Sequence, residues 1–168
     1  MFDPTIYENV KVVLEGELYD RDLEGEISIV SREDLVDLAS LSRKYLMKFT
    51  GNEDVYVTIE LFADLANFSA EQLKLDQIEP GCEIKIYFDV MISDEEECAE
   101  IEEDIRSIWG YRPTIRQTVS FPYAEDHQDV SLSTQVLLEF NRKINEDQIS
   151  DLGDLIEYSI QTSNLLGE

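Results

Sequence analysis

From Glu83 to Ile92 the chain reads EIKIYFDVMI, and every second residue (Ile84, Ile86, Phe88, Val90 and Ile92) is apolar. This period is that of a strand with one buried face, because successive side chains leave the pleat on opposite sides. Val55, Val57, Ile59 and Leu61 repeat the pattern, and so do Leu132, Thr134, Val136, Leu138 and Phe140. Between them stand Tyr56, Phe62, Lys85, Tyr87, Asp89 and Met91. Such a sheet keeps one wet face, which suits antiparallel strands, and its helices belong on the other face.

Three more strands are expected. Val10, Val12, Leu14 and Leu18 alternate around Gly16, Ile27 and Ile29 alternate within 26–30, and Ile115, Val119 and Phe121 start a strand that Pro122 stops. Three helices are expected as well. The first runs from a cap at Ser31 through Leu35, Leu38, Ser42, Tyr45, Leu46 and Phe49, with Asp34 completing a capping box and Gly51 as its stop. The second starts at Ser93 with Glu96 as box partner, carries Cys98, Ile101, Ile105 and Ile108, and ends at Gly110. The third starts at Asn145 with Gln148 three residues on, and carries Ile149, Leu152, Leu155, Ile156 and Ile160. A short helix over 69–75 sits in the least regular part, followed by the turn IEPG.

The expected fold is therefore α+β, a two-layer sandwich of about six mostly antiparallel strands with three main helices on one face. The run from the second to the fifth strand reads βαββαβ, a ferredoxin-like order. No linker rich in Pro, Gly or Ser divides residues 1–168, so one domain is expected, with a soft subdivision at 66–81 as the alternative.

Charge limits function more than any motif does. Thirteen basic residues face 38 acidic ones, a net charge of −25. A surface of this kind repels nucleic acid and anionic membranes, since phosphate binding needs clustered Lys and Arg. Cys82 and Cys98 form no CxxC pair, the start MFDPTIYENVKVV lacks the basic and apolar regions of a secretory signal, and no run is long enough to span a membrane. A soluble, cytoplasmic protein is expected.

The stretch DRDLEGEISIVS (20–31) imitates an EF-hand calcium loop, in which alternate oxygens precede a sharp glycine turn. Asp20, Asp22, Glu24 and Glu26 are the candidate ligands. The twelfth place, however, is Ser31 rather than a bidentate Glu, and a strand pattern precedes the loop, so a hairpin turn at Gly25 is the favoured reading. SDEEECAEIEEDI (93–105) places Asp94, Glu95 and Glu96 in a first helical turn, where the dipole favours negative charge. Glu96, Glu100 and Asp104 then repel one another along a solvated face. The single histidine, His127, lies among acids in AEDHQD, and Arg106, Arg112 and Arg116 bracket the turn WGYRP. No GxSxG, HExxH, GxGxxG or P-loop pattern occurs.

These observations favour a non-catalytic acidic protein that acts through protein contacts, without a cofactor. One alternative is a metal-dependent or small-ligand-binding protein using the 20–26 loop, with calcium as its metal, or the His127 loop. Another is a nucleic-acid mimic offering carboxylates to a basic protein. Tyr56, Phe62, Tyr87 and Met91 are large for a solvated sheet face, which makes a homodimer burying them an expectation.

Overall fold

A computed structural model describes residues 4–74, 77–125 and 130–168. The chain runs through helix α1 (Thr5–Leu23), strands β1 (Ser28–Asp37), β2 (Ser42–Thr50) and β3 (Val55–Ala63), and helix α2 (Leu65–Leu73). Strand β4 (Cys82–Ile92), helix α3 (Glu97–Trp109), strands β5 (Thr114–Ser120) and β6 (Leu132–Ile144), a 3-10 turn (Glu146–Asp151) and helix α4 (Leu152–Leu166) follow. The strands form one six-stranded sheet in the order β1-β2-β3-β4-β6-β5, and each neighbouring pair is antiparallel. The fold is α+β, with the helices layered on the apolar face of the sheet.

The core follows the alternation read from the sequence. Val57, Ile59 and Leu61 of β3, Ile86 and Phe88 of β4, and Val136 and Leu138 of β6 are fully buried. They pack against Val10, Leu14 and Leu18 of α1, Ile105 of α3 and Ile156 of α4. Strands β3 to β6 form as expected, and so does α3, whose chain turns at Gly110 with a φ of 67°. The short helix also forms, displaced toward its N-cap Asp64.

Two segments exchange type. Residues 10–18, expected as a strand, lie inside α1, where Tyr7, Val10, Leu14 and Leu18 share the buried face and Val12 is 63% exposed. Residues 31–49, expected as a helix, form the β1–β2 hairpin, and Ser31 is a strand residue rather than a cap. The core face of β2 is Tyr45, Met47 and Phe49, whereas Leu35 and Leu38 are exposed on the hairpin. The βαββαβ run is thereby replaced, because the first of its two helices is a pair of strands. Gly51, expected as a helix stop, belongs to the turn between β2 and β3.

Capping differs in one further place. Asn145 and Gln148 form both halves of the expected box, with Asp147 N–H donating to Asn145 Oδ1 at 2.8 Å and Asn145 N–H to Gln148 Oε1 at 2.9 Å. Ser93 is not the cap of α3. Its N–H instead donates to Glu97 Oε1 at 2.8 Å, and Glu96 N–H donates to Asp94 Oδ1 at 2.8 Å. Local carboxylates thus satisfy the free donors ahead of the helix.

Candidate interaction surface

The acidic stretch that imitates a calcium loop closes α1. Glu26 N–H donates to the Arg21 carbonyl and Gly25 N–H to the Asp22 carbonyl, both at 3.0 Å, with Gly25 at a φ of 79°. This pairing is a Schellman ending, which favours glycine because the left-handed position penalises a Cβ. The stretch is therefore a helix terminus leading into β1, not a hairpin between two strands.

Its carboxylates have separate tasks. Asp22 Oδ2 accepts from Ile29 N–H at 2.9 Å, tying the start of β1 to the helix. Glu26 pairs with Arg21 at 3.1 Å, and Arg21 also holds Glu157 of α4 at 2.6 Å. Asp20 and Glu24 lie one helical turn apart. Among the described residues no group of three or more His, Cys, Asp or Glu is placed to hold a metal ion. Calorimetric titration with calcium is expected to give no heat and no change in melting temperature. A saturable isotherm would restore the site. His127 lies outside the described residues.

The face of the sheet opposite the helices is the surface with the most to offer a partner. Cross-strand register sets its composition row by row. Leu35, Lys44, Phe62 and Glu83 form one row across β1 to β4. Glu33, Leu46, Glu60, Lys85, Glu139 and Thr114 form the next, reaching β5. Ser31, Lys48, Thr58, Tyr87, Leu137 and Arg116 form the third. Tyr56, Asp89, Gln135 and Thr118 follow, and Met91, 60% exposed, lies beyond them.

This face differs from the rest of the molecule in charge. Its cations Lys44, Lys48, Lys85 and Arg116 interleave with Glu33, Glu60, Glu83, Asp89 and Glu139, so it is close to neutral in a chain of net −25. The ion pairs are loose: Lys48 Nζ stands 3.9 Å from Asp89 and 5.2 Å from the centre of the Tyr56 ring. Lys44 lies 6.0 Å over Phe62. At the centre, Glu60 is only 7% exposed although no helix covers it, and accepts from the Tyr87 hydroxyl at 3.3 Å. Burial, with the Glu60 carboxylate beside it, pushes the Tyr87 hydroxyl up to about 12. The long side chains around Glu60 have already withdrawn much of it from water.

The expected positions of Tyr56, Phe62, Tyr87 and Met91 on this face are therefore seen. Leu46, Lys44 and Lys48 were hidden by the helical reading of their segment, although Tyr45, Met47 and Phe49 carried the strand period that would have revealed them. Trp109 packs against Phe140 and edge-on against Tyr158, and its indole N–H donates to Thr162 at 2.8 Å. It joins α3 to β6 and α4 rather than offering a ligand platform. Cys82 is buried, and that burial pushes its thiol up to about 12, as for an inert packing residue. One depression of the described surface is an open groove lined by Tyr56, Asp89, Met91 and Gln135.

Comparison with family models, with curated proteins and with solved structures finds no match. The fold defines the class: an antiparallel six-stranded sheet, helices on one side and an uncovered, charge-balanced face on the other. None of the helices among the described residues is long and apolar enough to cross a membrane.

Proposed function

We propose that the protein is a non-catalytic interaction module whose open sheet face is covered by another protein chain, and that this chain is a second copy of itself. The supporting observation is the charge contrast. Two copies of net −25 repel through almost any approach, whereas the open faces meet with little net charge and with Leu46, Tyr56, Phe62, Tyr87, Leu137 and Met91 between them. Strands about 4.8 Å apart give a face of roughly 25 by 20 Å, so two copies stacked about 10 Å apart would bury on the order of 1,000 Å² in total. That is the lower bound for a specific interface, so association at micromolar concentration is expected.

Electrostatics sets the sign of the test. Salt screens repulsion between the acidic surfaces and barely touches apolar contact, so self-association should strengthen as salt rises from about 0.05 to 0.5 M. Sedimentation equilibrium should show a dimer that Leu46→Glu and Met91→Glu each weaken, with thermal melting confirming that both variants fold. A monomer at every concentration and salt, or a dimer indifferent to both substitutions, would overturn the proposal. The unpaired cysteines suit a reducing compartment, and we place the protein in the cytoplasm on that ground.

A further inference from the structure

The 20 residues from Ile105 to Ala124 contain no Asp or Glu, although 38 of the 168 residues of the chain are acidic. Within this stretch lie Arg106, Arg112 and Arg116, and its middle is β5, an outer strand of the sheet. The outer side of β5 makes no backbone hydrogen bond to any described residue. A strand edge of this kind presents alternate N–H and C=O groups to whatever can lie along it, and proteins ordinarily guard it with charge, Pro or a bulge. Here TIRQTVS carries one charge, no Pro and no register shift against β6. The other outer strand, β1, is guarded by Arg32, Glu33 and Asp34 and by an irregularity between Ile29 and Ser31.

We infer that the β5 edge is a docking site for an extended segment of another protein, added as a seventh antiparallel or parallel strand, with acidic residues at alternate positions. Backbone pairing supplies the attraction and alternate side chains the selectivity, as in other strand-addition complexes. On the open side, the exposed Arg116 stands between Thr114 and Thr118, with Arg112 just before the strand, and neither arginine forms an ion pair with a described residue. Among the described carboxylates around this edge, Glu139 lies one strand further in, opposite Thr114, and Glu102 of α3 is 3.7 Å from Arg106. Glu97, which shares a groove with Thr118 and Ser120, accepts from Ser93 N–H at 2.8 Å. On the helix side, the incoming residues meet Ile115 and Val119, so small or apolar side chains fit there. Tyr111, 88% exposed, and Phe121 mark the two ends of the strand.

A second copy is a poorer occupant. Pairing β5 with itself around Gln117 would bring the acidic α3 helices of both copies side by side on one face of the joined sheet, where they repel. The proposal goes beyond the reading of the open face but shares Arg116 with it, so the test is run at a protein concentration at which sedimentation shows a monomer.

The test uses the whole protein and an eight-residue peptide of alternating Glu and Thr, blocked at both ends, with a Lys–Thr peptide as control. It is run near 0.15 M salt, where the Debye length is about 8 Å and local charges decide. Amide hydrogen exchange should slow at alternate residues of β5 when the Glu–Thr peptide is present. The Lys–Thr peptide should bind about fivefold more weakly, and Arg116→Glu should invert that order. The inference fails if no β5 amide is protected, if Arg116→Glu leaves the order unchanged, or if protection maps to Tyr87 and its neighbours on the open face. It also fails if β5 becomes protected without peptide as the protein is concentrated, since the occupant would then be a second copy.

Discussion

Leu14→Ala should lower the unfolding free energy by about 2–5 kcal/mol, while Val12→Ala should change it by no more than about 0.5 kcal/mol. Leu14 is fully buried on the sheet-facing side of α1, and Val12 is 63% exposed two residues away. Truncating Leu14 removes its transfer free energy and leaves a cavity between α1 and the sheet, which the close-packed core can fill only in part. In an alternating strand the two residues would share a face and the two costs would be alike. Urea unfolding of both variants separates the cases: comparable losses would place 10–18 in a strand and overturn the helix.

That segment shows how the first part of the chain misleads. Val10, Leu14 and Leu18 are spaced by four, which satisfies a helix and, being even, also satisfies alternation. Only Val12, which an inward-facing strand would bury, and Tyr7, three residues before Val10, distinguish the two. Tyr7 is buried on the helix face, so the larger window held the answer. The β1–β2 hairpin misleads for the opposite reason. As an outer strand, β1 is exposed along nearly its whole length and has no period to read. Leu35 of β1 and Leu38 of the turn then combine with Tyr45 and Phe49 of β2 into a false helical stripe. The central strands and the outer β5 were legible because burial on one face imposes a period, and β1 was not because it is exposed on both faces.

The candidate surface was legible to the same extent. Tyr56, Phe62, Tyr87 and Met91 follow from the alternation of β3 and β4 alone. Their neighbours Lys44, Leu46 and Lys48 depend on β2 being a strand, and the charge balance depends on register between strands far apart in sequence. Spacing places the arginines near WGYRP, but whether Arg116 lies on an outer or an inner strand is a property of sheet order. That order, with β6 inserted between β4 and β5, is not written in any local pattern.

Arg43→Met is expected to destabilise the fold by about 2–3 kcal/mol at neutral pH, a fall in Tm of roughly 5–10 °C for a domain of this size. The Arg43 side chain is 8% exposed at the junction of α1, β1 and β2. Its guanidinium is 2.9 Å from Asp34 Oδ1, 3.1 Å from Glu8 Oε1 and 5.0 Å over the Tyr7 ring. Lys11 completes the network at 2.8 Å from both carboxylates, and the Tyr7 hydroxyl donates to Asp34 at 3.2 Å. Methionine keeps most of the volume but leaves two partly buried carboxylates to share one lysine. The cost is held below that of a fully buried pair because Asp34 and Glu8 retain about a third of their exposure.

The pH dependence tests the cause. Burial by itself would raise the Asp34 carboxyl, but the hydrogen bonds from Lys11 and Arg43 outweigh it and hold the group below the ordinary aspartate range. A carboxylate lowered in the folded state contributes stability that is complete above its unfolded pKa and disappears as pH falls through the folded one. The difference between the wild-type protein and Arg43→Met should therefore be constant from about pH 7 to pH 5 and shrink below about pH 4, as Asp34 takes up its proton. Asp34→Asn should remove most of this acid-side slope and make a further Arg43→Met substitution milder. Urea unfolding of the two single variants and the double variant across this range measures both effects. A wild-type to Arg43→Met difference that persists unchanged at pH 3 would assign the role of Arg43 to packing over Tyr7 rather than to charge.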